Sequence, residues 1–81
     1  MYYVYFLKSL KNGDLYIGST QNVQSRLALH NLGKVRSTKA YTPWQLLGLE
    51  EFSTRSEAFK REMFLKNHQQ KELLKNKYSM A

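Results

Sequence analysis

An unbroken aromatic and aliphatic run, Tyr2-Tyr3-Val4-Tyr5-Phe6-Leu7, is followed by Lys11-Asn12-Gly13-Asp14 and then by Leu15-Tyr16-Ile17-Gly18. A run with no polar interruption is typical of a strand that is covered on both faces, at the centre of its sheet. Asn-Gly between two such runs is the strongest short-range signal of a hairpin. The sequence therefore predicts a β-hairpin over residues 2–18, with a central first strand.

The remaining segments predict helices around one more strand. Thr54-Arg55-Ser56-Glu57 matches a capping box, and Gly33 stands where a helix ends. The predicted elements are a helix over 23–32, a strand over 44–52, a helix over 54–67 and a short helix over 70–78. Strand-strand-helix order implies antiparallel pairing with helices packed on the sheet. We expect a single α+β domain, residues 1–81, with a small three-stranded antiparallel sheet flanked by helices in the order β-β-α-β-α, and one further helix at the end.

The chain is strongly basic, and its charge is unevenly distributed. Its 81 residues have 13 Lys and Arg against 6 Asp and Glu, a net charge of +7. No acidic residue occurs between Leu15 and Leu49, a stretch that contains Arg26, Lys34, Arg36 and Lys39. A second basic block, from Lys60 to Lys77, holds six Lys and Arg against Glu62 and Glu72. Two basic blocks on a compact body indicate a polyanionic partner, most simply nucleic acid. Solubility alone is the competing explanation for this charge.

Several classes of protein are excluded by what the sequence lacks. There is no cysteine, so disulfides and thiolate metal sites are excluded. No apolar segment approaches the roughly 20 residues that span a bilayer, and the N-terminus begins as a strand rather than as a signal peptide. We expect a soluble, cytoplasmic protein with no membrane partner.

Glu62 is the most unusual residue of the predicted second helix. At about 100° per residue, the apolar residues Ala58, Phe59, Met63 and Leu65 define one face, and Glu62 lies in the middle of it. A lone carboxylate facing a core is unfavourable unless something pairs with it. It binds a metal, acts as an acid or base, or forms a structural ion pair, for which Arg26 is a candidate partner.

Other residues allow both structural and functional interpretations. Arg26 and His30 are adjacent on the first helix, where Arg26 suits a phosphate and His30 shares an apolar face with Val23 and Leu27. Most tyrosines in strands simply pack. Trp44 is expected in the core or at its edge, and Phe64 is expected to pack on the terminal helix with Leu73 rather than to stack on an unpaired base.

Four motifs in order resemble the GIY-YIG nucleases, in particular the small single-domain bacterial members. Tyr3-Val4-Tyr5 and, eleven residues from Tyr5, Tyr16-Ile17-Gly18 are similar to the paired motif that names the family. The third motif of the family is similar to Arg26-Leu27 with His30-Asn31. The fourth is similar to Ser56-Glu57-Ala58-Phe59-Lys60-Arg61-Glu62. The resemblance covers about residues 2–77. One departure is Tyr3, which stands in the place of the first glycine.

The resemblance implies a role for each matching residue. Glu62 would hold one Mg2+ or Mn2+, an ion that commonly keeps several waters beside one carboxylate. Arg26 would neutralise charge on the phosphate in the transition state. Tyr5 and Tyr16 would flank the scissile phosphate, with Tyr5 helping to deprotonate the attacking water. His30 would hydrogen-bond a tyrosine or serve as the alternative base, and Gly18 would let the backbone approach the site.

The predicted function is that of a metal-dependent endonuclease or nickase that hydrolyses DNA with low sequence specificity, in DNA repair or recombination rather than in defence or mobility. The alternative is a catalytically silent DNA-binding module of the same fold. Lys34, Arg36 and Lys39 are the candidates for contacts with the nucleic-acid backbone. RNA as substrate and a partner protein that supplies targeting both stay open, and nothing in the sequence indicates an oligomeric state.

Overall fold

The computed structural model describes residues 1–78, and the predicted end of the domain at residue 81 lies outside them. The elements are β1 (Tyr2–Ser9), β2 (Leu15–Thr20), α1 (Val23–Asn31), a short 3-10 helix (Lys39–Tyr41), β3 (Trp44–Phe52), α2 (Arg55–Leu65) and α3 (His68–Lys77). This order confirms the predicted α+β class and the additional terminal helix. In the described residues 1–78, no helix is long and apolar enough to cross a membrane.

The sheet has the strand order β2-β1-β3 with antiparallel neighbours, so β1 is central as predicted. Both hairpin strands are two residues longer than expected. Pairing of Tyr3 with Thr20 extends β2, and pairing of Ser9 with Trp44 extends β1. Gly13 has φ +79°, a conformation that few other residues adopt, which explains why the connection contains Asn-Gly.

Alternating side chains of β1 enter two separate cores. Val4 and Phe6 pack on one face of the sheet with Ala58, Leu65 and Leu74 of α2 and α3. Tyr5 and Leu7 pack on the other face, with Val23 and Trp44. Since successive side chains of a strand point to opposite faces, helices cover both faces of this one strand. Trp44 is buried, as predicted.

The helix boundaries follow their capping residues. Asn22 accepts a hydrogen bond from the amide of Ser25 at 3.0 Å and starts α1. The predicted capping box of α2 is present, with Thr54 and Glu57 bonded to each other's backbone amides. This helix ends at Leu65 rather than near Asn67, because Asn67 has a non-helical backbone, with ψ 138°, and caps α3. Gly33, with φ +73°, follows α1 as predicted.

The buried face of α2 differs from the predicted one. The line that faces the sheet is Ala58, Glu62 and Leu65, whereas Phe59 and Met63 are 56% and 52% exposed. Phe59 and Met63 each lie one residue beyond the buried line, which is about 100° around the helix. The inward position of Glu62 is therefore confirmed, although two of the apolar neighbours used to predict it face outward.

The expected packing of Phe64 against Leu73 was wrong. The two residues are 51% and 55% exposed, and α3 instead buries Leu74. The side chain of Arg61 lies over the Phe64 ring, 5.4 Å from its centroid, and also forms a two-point ion pair with Glu50. Helical periodicity gives the direction of a side chain on its own helix, but not which side the next helix covers.

The segment between α1 and β3 is fastened to the second core by polar contacts. The side-chain amide of Asn31 accepts from the backbone N–H of Trp44 at 2.6 Å and donates to its carbonyl at 3.1 Å. The Trp44 indole donates to the carbonyl of Thr38 at 3.0 Å. These bonds hold Thr38, only 1% exposed, against the end of α1.

Candidate active site

Tyr5 lies at the centre of the residues predicted from the sequence. Its side chain leaves β1 towards α1, and its hydroxyl is 2.9 Å from Nε2 of His30. Tyr16 lies on the same face, since it pairs with Leu7 across the hairpin. Tyr5 and His30 are 1% and 0% exposed, whereas Tyr16 is half-buried. A ligand approaching from solvent therefore meets Tyr16 before Tyr5.

The hydrogen bonds around His30 define its tautomer. The Thr38 hydroxyl, which has a single hydrogen to donate, bonds to the carbonyl of Val35 at 3.3 Å. It must then accept from Nδ1 of His30, which is 2.8 Å away. Nε2 carries no hydrogen in that tautomer, so it accepts from the Tyr5 hydroxyl. The three side chains form a buried chain of donors that runs from Tyr5 to the backbone of Val35.

The rings of Tyr5, Tyr16 and His30 form one aromatic cluster. The Tyr16 ring stands edge-on to His30 with centroids 4.9 Å apart, and its centroid is 6.2 Å from that of Tyr5. Trp44 closes the cluster at 6.0 Å from Tyr16. Edge-to-face rings at these separations attract one another, so the cluster fixes the orientation of the two tyrosines and of the imidazole.

Gly18 lies directly beside the Tyr5 hydroxyl. The two residues are paired in the sheet, and a Cβ at position 18 would be 2.6 Å from the tyrosine oxygen. Atoms in proteins do not approach so closely without strain. The glycine is therefore needed at this position for steric reasons, which agrees with the close approach expected from the sequence.

Charges around Tyr5 act in opposite directions on its ionisation. Burial is the main cause that raises the pKa of Tyr5 to about 12; the guanidinium of Arg26 acts to lower this pKa, and Tyr16 and, least, the charge of Glu62 act to raise it. Burial, and then Arg26, lower the pKa of His30 from its ordinary value. Near neutral pH, the protein alone thus contains a protonated Tyr5 and a neutral His30, with the Arg26 charge close to both.

Glu62 reaches this region from α2, on the opposite face of the sheet. Its side chain is 13% exposed, with Oε1 accepting from the Ser19 hydroxyl at 2.7 Å and Oε2 paired with the ammonium of Lys66 at 2.8 Å. The structural ion pair with Arg26, considered from the sequence, is replaced by these two contacts. Ser19 follows Gly18 in β2, so the edge strand brings the carboxylate beside the tyrosine face.

The donors present fit one particular kind of metal site. In the described residues 1–78, no group of three or more His, Cys, Asp or Glu side chains could enclose an ion. Mg2+, however, is commonly held by one carboxylate together with waters and substrate phosphate oxygens. Each Glu62 oxygen keeps acceptor capacity beyond its present contact. A hard cation at Glu62 would compete with Lys66, whose side chain is 43% exposed and therefore has room to move.

The basic candidates lie apart from this cluster. Lys34, Arg36 and Lys39 are exposed on the segment that follows α1. Thr38, which bonds to His30, belongs to the same segment. The basic segment is therefore anchored to the tyrosine–histidine cluster through a buried hydroxyl.

Three residues of the site were missed from the sequence: Thr38, Ser19 and Lys66. Only Lys66 had a local signal, because it lies four residues after Glu62 on one helix. Ser19 and Glu62 are 43 residues apart, and Thr38 is in a segment with no periodicity. Their roles depend on contacts that form only when the chain folds.

Acidification is expected to destabilise the protein through His30. Its pKa is lowered in the folded state, so the unfolded chain binds the proton more tightly. The stabilisation is complete above about pH 6.5, the unfolded value, and is lost as the pH falls through the lower folded value. When thermal unfolding is followed between pH 5 and pH 8, the plot of melting temperature against pH should have a smaller slope for His30→Gln than for the wild type. Equal slopes would contradict this assignment.

Comparison with known proteins identifies the fold. A family model of the GIY-YIG catalytic domain matches residues 1–79. A UPF0213 protein of Staphylococcus haemolyticus is 43% identical over 75 residues, 91% of this chain and 90% of that protein. Another, of Halobacterium salinarum, is 39% identical over 77 residues, 91% of this chain and 99% of that protein.

A solved structure agrees with the sequence comparisons. The solution structure of a UPF0213 protein from Bacillus halodurans matches with a TM-score of 0.55 and 33% identity, over 91% of this chain and 82% of that one. The matching family model describes the GIY-YIG catalytic domain, and this indicates nuclease-type activity. With its motifs in place on β1, β2, α1 and α2, the chain belongs to the GIY-YIG family, among the small UPF0213 proteins.

Proposed function

We propose that the protein is a metal-dependent endonuclease or nickase that hydrolyses phosphodiester bonds of DNA. The observation that carries this proposal is the convergence of Tyr5, Tyr16, Arg26 and His30 on one face of the hairpin, beside the largely buried carboxylate of Glu62. The carboxylate is close enough to the tyrosines for its charge to act on the pKa of Tyr5, and charged groups that act on one another's ionisation are typical of functional sites.

The reaction joins the oxygen of a water molecule to phosphorus and breaks one phosphorus–oxygen ester bond. Arg26 is half-buried and close to Tyr5 and His30, where its guanidinium would stabilise the negative charge that develops on the phosphate oxygens. A Mg2+ or Mn2+ ion bound at Glu62 would supply further charge neutralisation and orient the phosphate. The leaving oxygen takes a proton from solvent.

The attacking water gives its proton to one of two tyrosines. Tyr5 has an acceptor for its own proton in place, since its hydroxyl donates to Nε2 of His30. As Tyr5 receives the proton of the water, its phenolic proton passes to the imidazole. Tyr16 lacks that acceptor but is more accessible to the substrate.

The variants Tyr5→Phe and Tyr16→Phe are expected to show which of the two tyrosines takes the proton of the attacking water. The base is the tyrosine whose loss lowers the cleavage rate by about 100-fold or more and removes its dependence on pH. The other variant should chiefly raise KM. Rates are measured on one DNA substrate from pH 6 to pH 9, with circular dichroism to confirm folding. Equal, small losses in both variants would contradict a tyrosine base.

The basic segment after α1 is expected to bind the nucleic-acid backbone. Replacing Lys34, Arg36 and Lys39 together by Gln should weaken DNA binding at low salt and lower the slope of log K against log salt by about 2–3. The three side chains are exposed, so stability should change little. Fluorescence anisotropy at several salt concentrations measures the slope. An unchanged slope would place the DNA elsewhere.

Cleavage assays test the function itself. Labelled plasmid, duplex, single-stranded and branched DNA are incubated with the protein in Mg2+, in Mn2+ or in EDTA. Cutting that requires the metal supports the proposal, and the substrate cut fastest indicates the process, for which we propose DNA repair or recombination. Salt-dependent binding without cutting would favour the DNA-binding module, an alternative that fits the low exposure of Tyr5 in the protein alone.

A further inference from the structure

A cleft of about 710 Å³ opens beside Ser19, the residue that bonds to Glu62. It lies between the edge of the sheet and the first turns of α2. Its walls include Tyr2 at the start of β1, and Arg55 and Phe59 of α2. The volume is within the range of small-molecule sites, about 300–1,000 Å³, so the cleft is large enough for a nucleotide.

Two aromatic side chains, Tyr2 and Phe59, are part of the lining of this cleft. Phe59 is 56% exposed, although its helix buries Ala58 and Leu65 against the sheet. Tyr2 is half-buried and packs at the margin of the same core. Two aromatic rings open to one cleft provide flat apolar surfaces of the kind on which unpaired bases stack, by about 1–3 kcal/mol per base.

The polar lining also suits a nucleotide. Arg55 supplies a positive charge, and Thr20, Gln21 and Ser56 supply side-chain donors and acceptors. Among residues 1–78, no acidic side chain is part of the lining of the cleft, although the Glu62 carboxylate lies next to it through Ser19. Hydroxyl and amide groups can bond to the edges of a base, and an arginine can bond to the phosphate beside it.

The cleft is next to the carboxylate that would hold the metal. Ser19 lines the cleft and donates to Oε1 of Glu62 at 2.7 Å. A nucleotide in the cleft would thus be a near neighbour, along the strand, of a phosphate bound at Glu62. A base in an intact DNA duplex is stacked and paired, and it cannot enter such a cleft without leaving the double helix.

We propose that this cleft binds an unpaired nucleobase next to the scissile phosphate, with the base stacked on Phe59 and its phosphate held by Arg55. The proposal rests on the nuclease function and refines its substrate class: strands with unpaired nucleotides, either single-stranded or at branches, bind more tightly than continuous duplex. Phe59 is then a residue of substrate selection rather than of catalysis.

The α2 helix offers a matched control for the test. Phe64 is exposed to nearly the same extent as Phe59, 51% against 56%, but its ring lies under Arg61 and outside the cleft. Both can be changed to alanine at little cost to the core. Binding is measured in EDTA, so that the readout does not depend on cutting, with a labelled single-stranded oligonucleotide and its duplex as probes.

Phe59→Ala should weaken binding of the single strand by about 5- to 100-fold, while Phe64→Ala should change it less than about twofold. Phe59→Trp should retain binding. The duplex should bind all variants alike. An oligonucleotide with a single abasic position, tested at successive sites, should lose affinity at one position with the wild type but not with Phe59→Ala. Circular dichroism confirms that each variant folds.

Equal losses for Phe59→Ala and Phe64→Ala, an equal loss on duplex, or no binding of the single strand by the wild type would overturn the proposal. Failure of the nuclease function gives a different result. In that case no DNA is cut in any metal, yet binding of the single strand still depends on Phe59. Conversely, metal-dependent cutting with no effect of Phe59 retains the nuclease and rejects the base site.

Discussion

Replacing Glu62 by glutamine is expected to lower DNA cleavage by about 1,000-fold or more, which corresponds to about 4 kcal/mol of lost transition-state stabilisation. Glutamine has almost the same size and keeps an oxygen that can accept from Ser19. It lacks the charge that a hard cation needs from its single protein carboxylate. The fold should be retained, because the lost ion pair with Lys66 is partly exposed.

Two measurements separate a metal ligand from a structural residue. Binding of Mn2+, followed by electron paramagnetic resonance without DNA, should weaken in Glu62→Gln. Glu72→Gln is the matched control, since Glu72 is also paired with a lysine on a helix but is 51% exposed. That control should cut DNA at the wild-type rate. Full activity in Glu62→Gln would remove this carboxylate from the mechanism.

Gly18→Ala is expected to have the second large effect, on stability and on activity together. The new Cβ would lie 2.6 Å from the Tyr5 oxygen and 2.7 Å from Cζ. Tyr5 is 1% exposed and bonded to His30, so it cannot move away freely. We expect a loss of about 1–3 kcal/mol in the free energy of unfolding and, from displacement of the hydroxyl, about 100-fold in cleavage rate. Chemical denaturation and initial rates measure the two effects.

A double-mutant cycle tests whether the clash with Tyr5 is the cause. Tyr5→Leu removes the tyrosine atoms that the new methyl group would meet. In that background, Gly18→Ala should therefore lower stability much less than in the wild type. The same loss in both backgrounds would show that Gly18 is needed for another reason, such as the path of β2 itself.

Signals carried by neighbouring residues predicted most of the fold. The Asn12-Gly13 pair located the hairpin, and Thr54 with Glu57 located the start of α2, since both depend on bonds within a few residues. The prediction of which face of α2 is buried was only partly correct. Burial of this face depends on how α2 and α3 pack on the sheet, so Phe59 and Phe64 are exposed although both are apolar.

The site was predicted less completely than the fold. The inward position of Glu62 followed from its place among apolar residues, but its partners Ser19 and Lys66 did not. The contact of His30 with Thr38 was also absent from the prediction, because the basic segment has no repeating pattern to indicate which side chain turns inward. Hydrogen bonds between distant parts of a chain leave no periodic signal in its sequence.

The alternation of side chains in β1 suggests how the protein tolerates change. Even-numbered positions such as Val4 and Phe6 belong to the core that α2 and α3 cover, whereas the odd-numbered Tyr5 and Leu7 border the candidate site. Substitutions that conserve volume at even positions can alter thermal stability while the reactive groups stay in place. Directed evolution could therefore optimise stability and chemistry on the same strand in two separate libraries, one that varies the even-numbered positions and one that varies the odd-numbered positions.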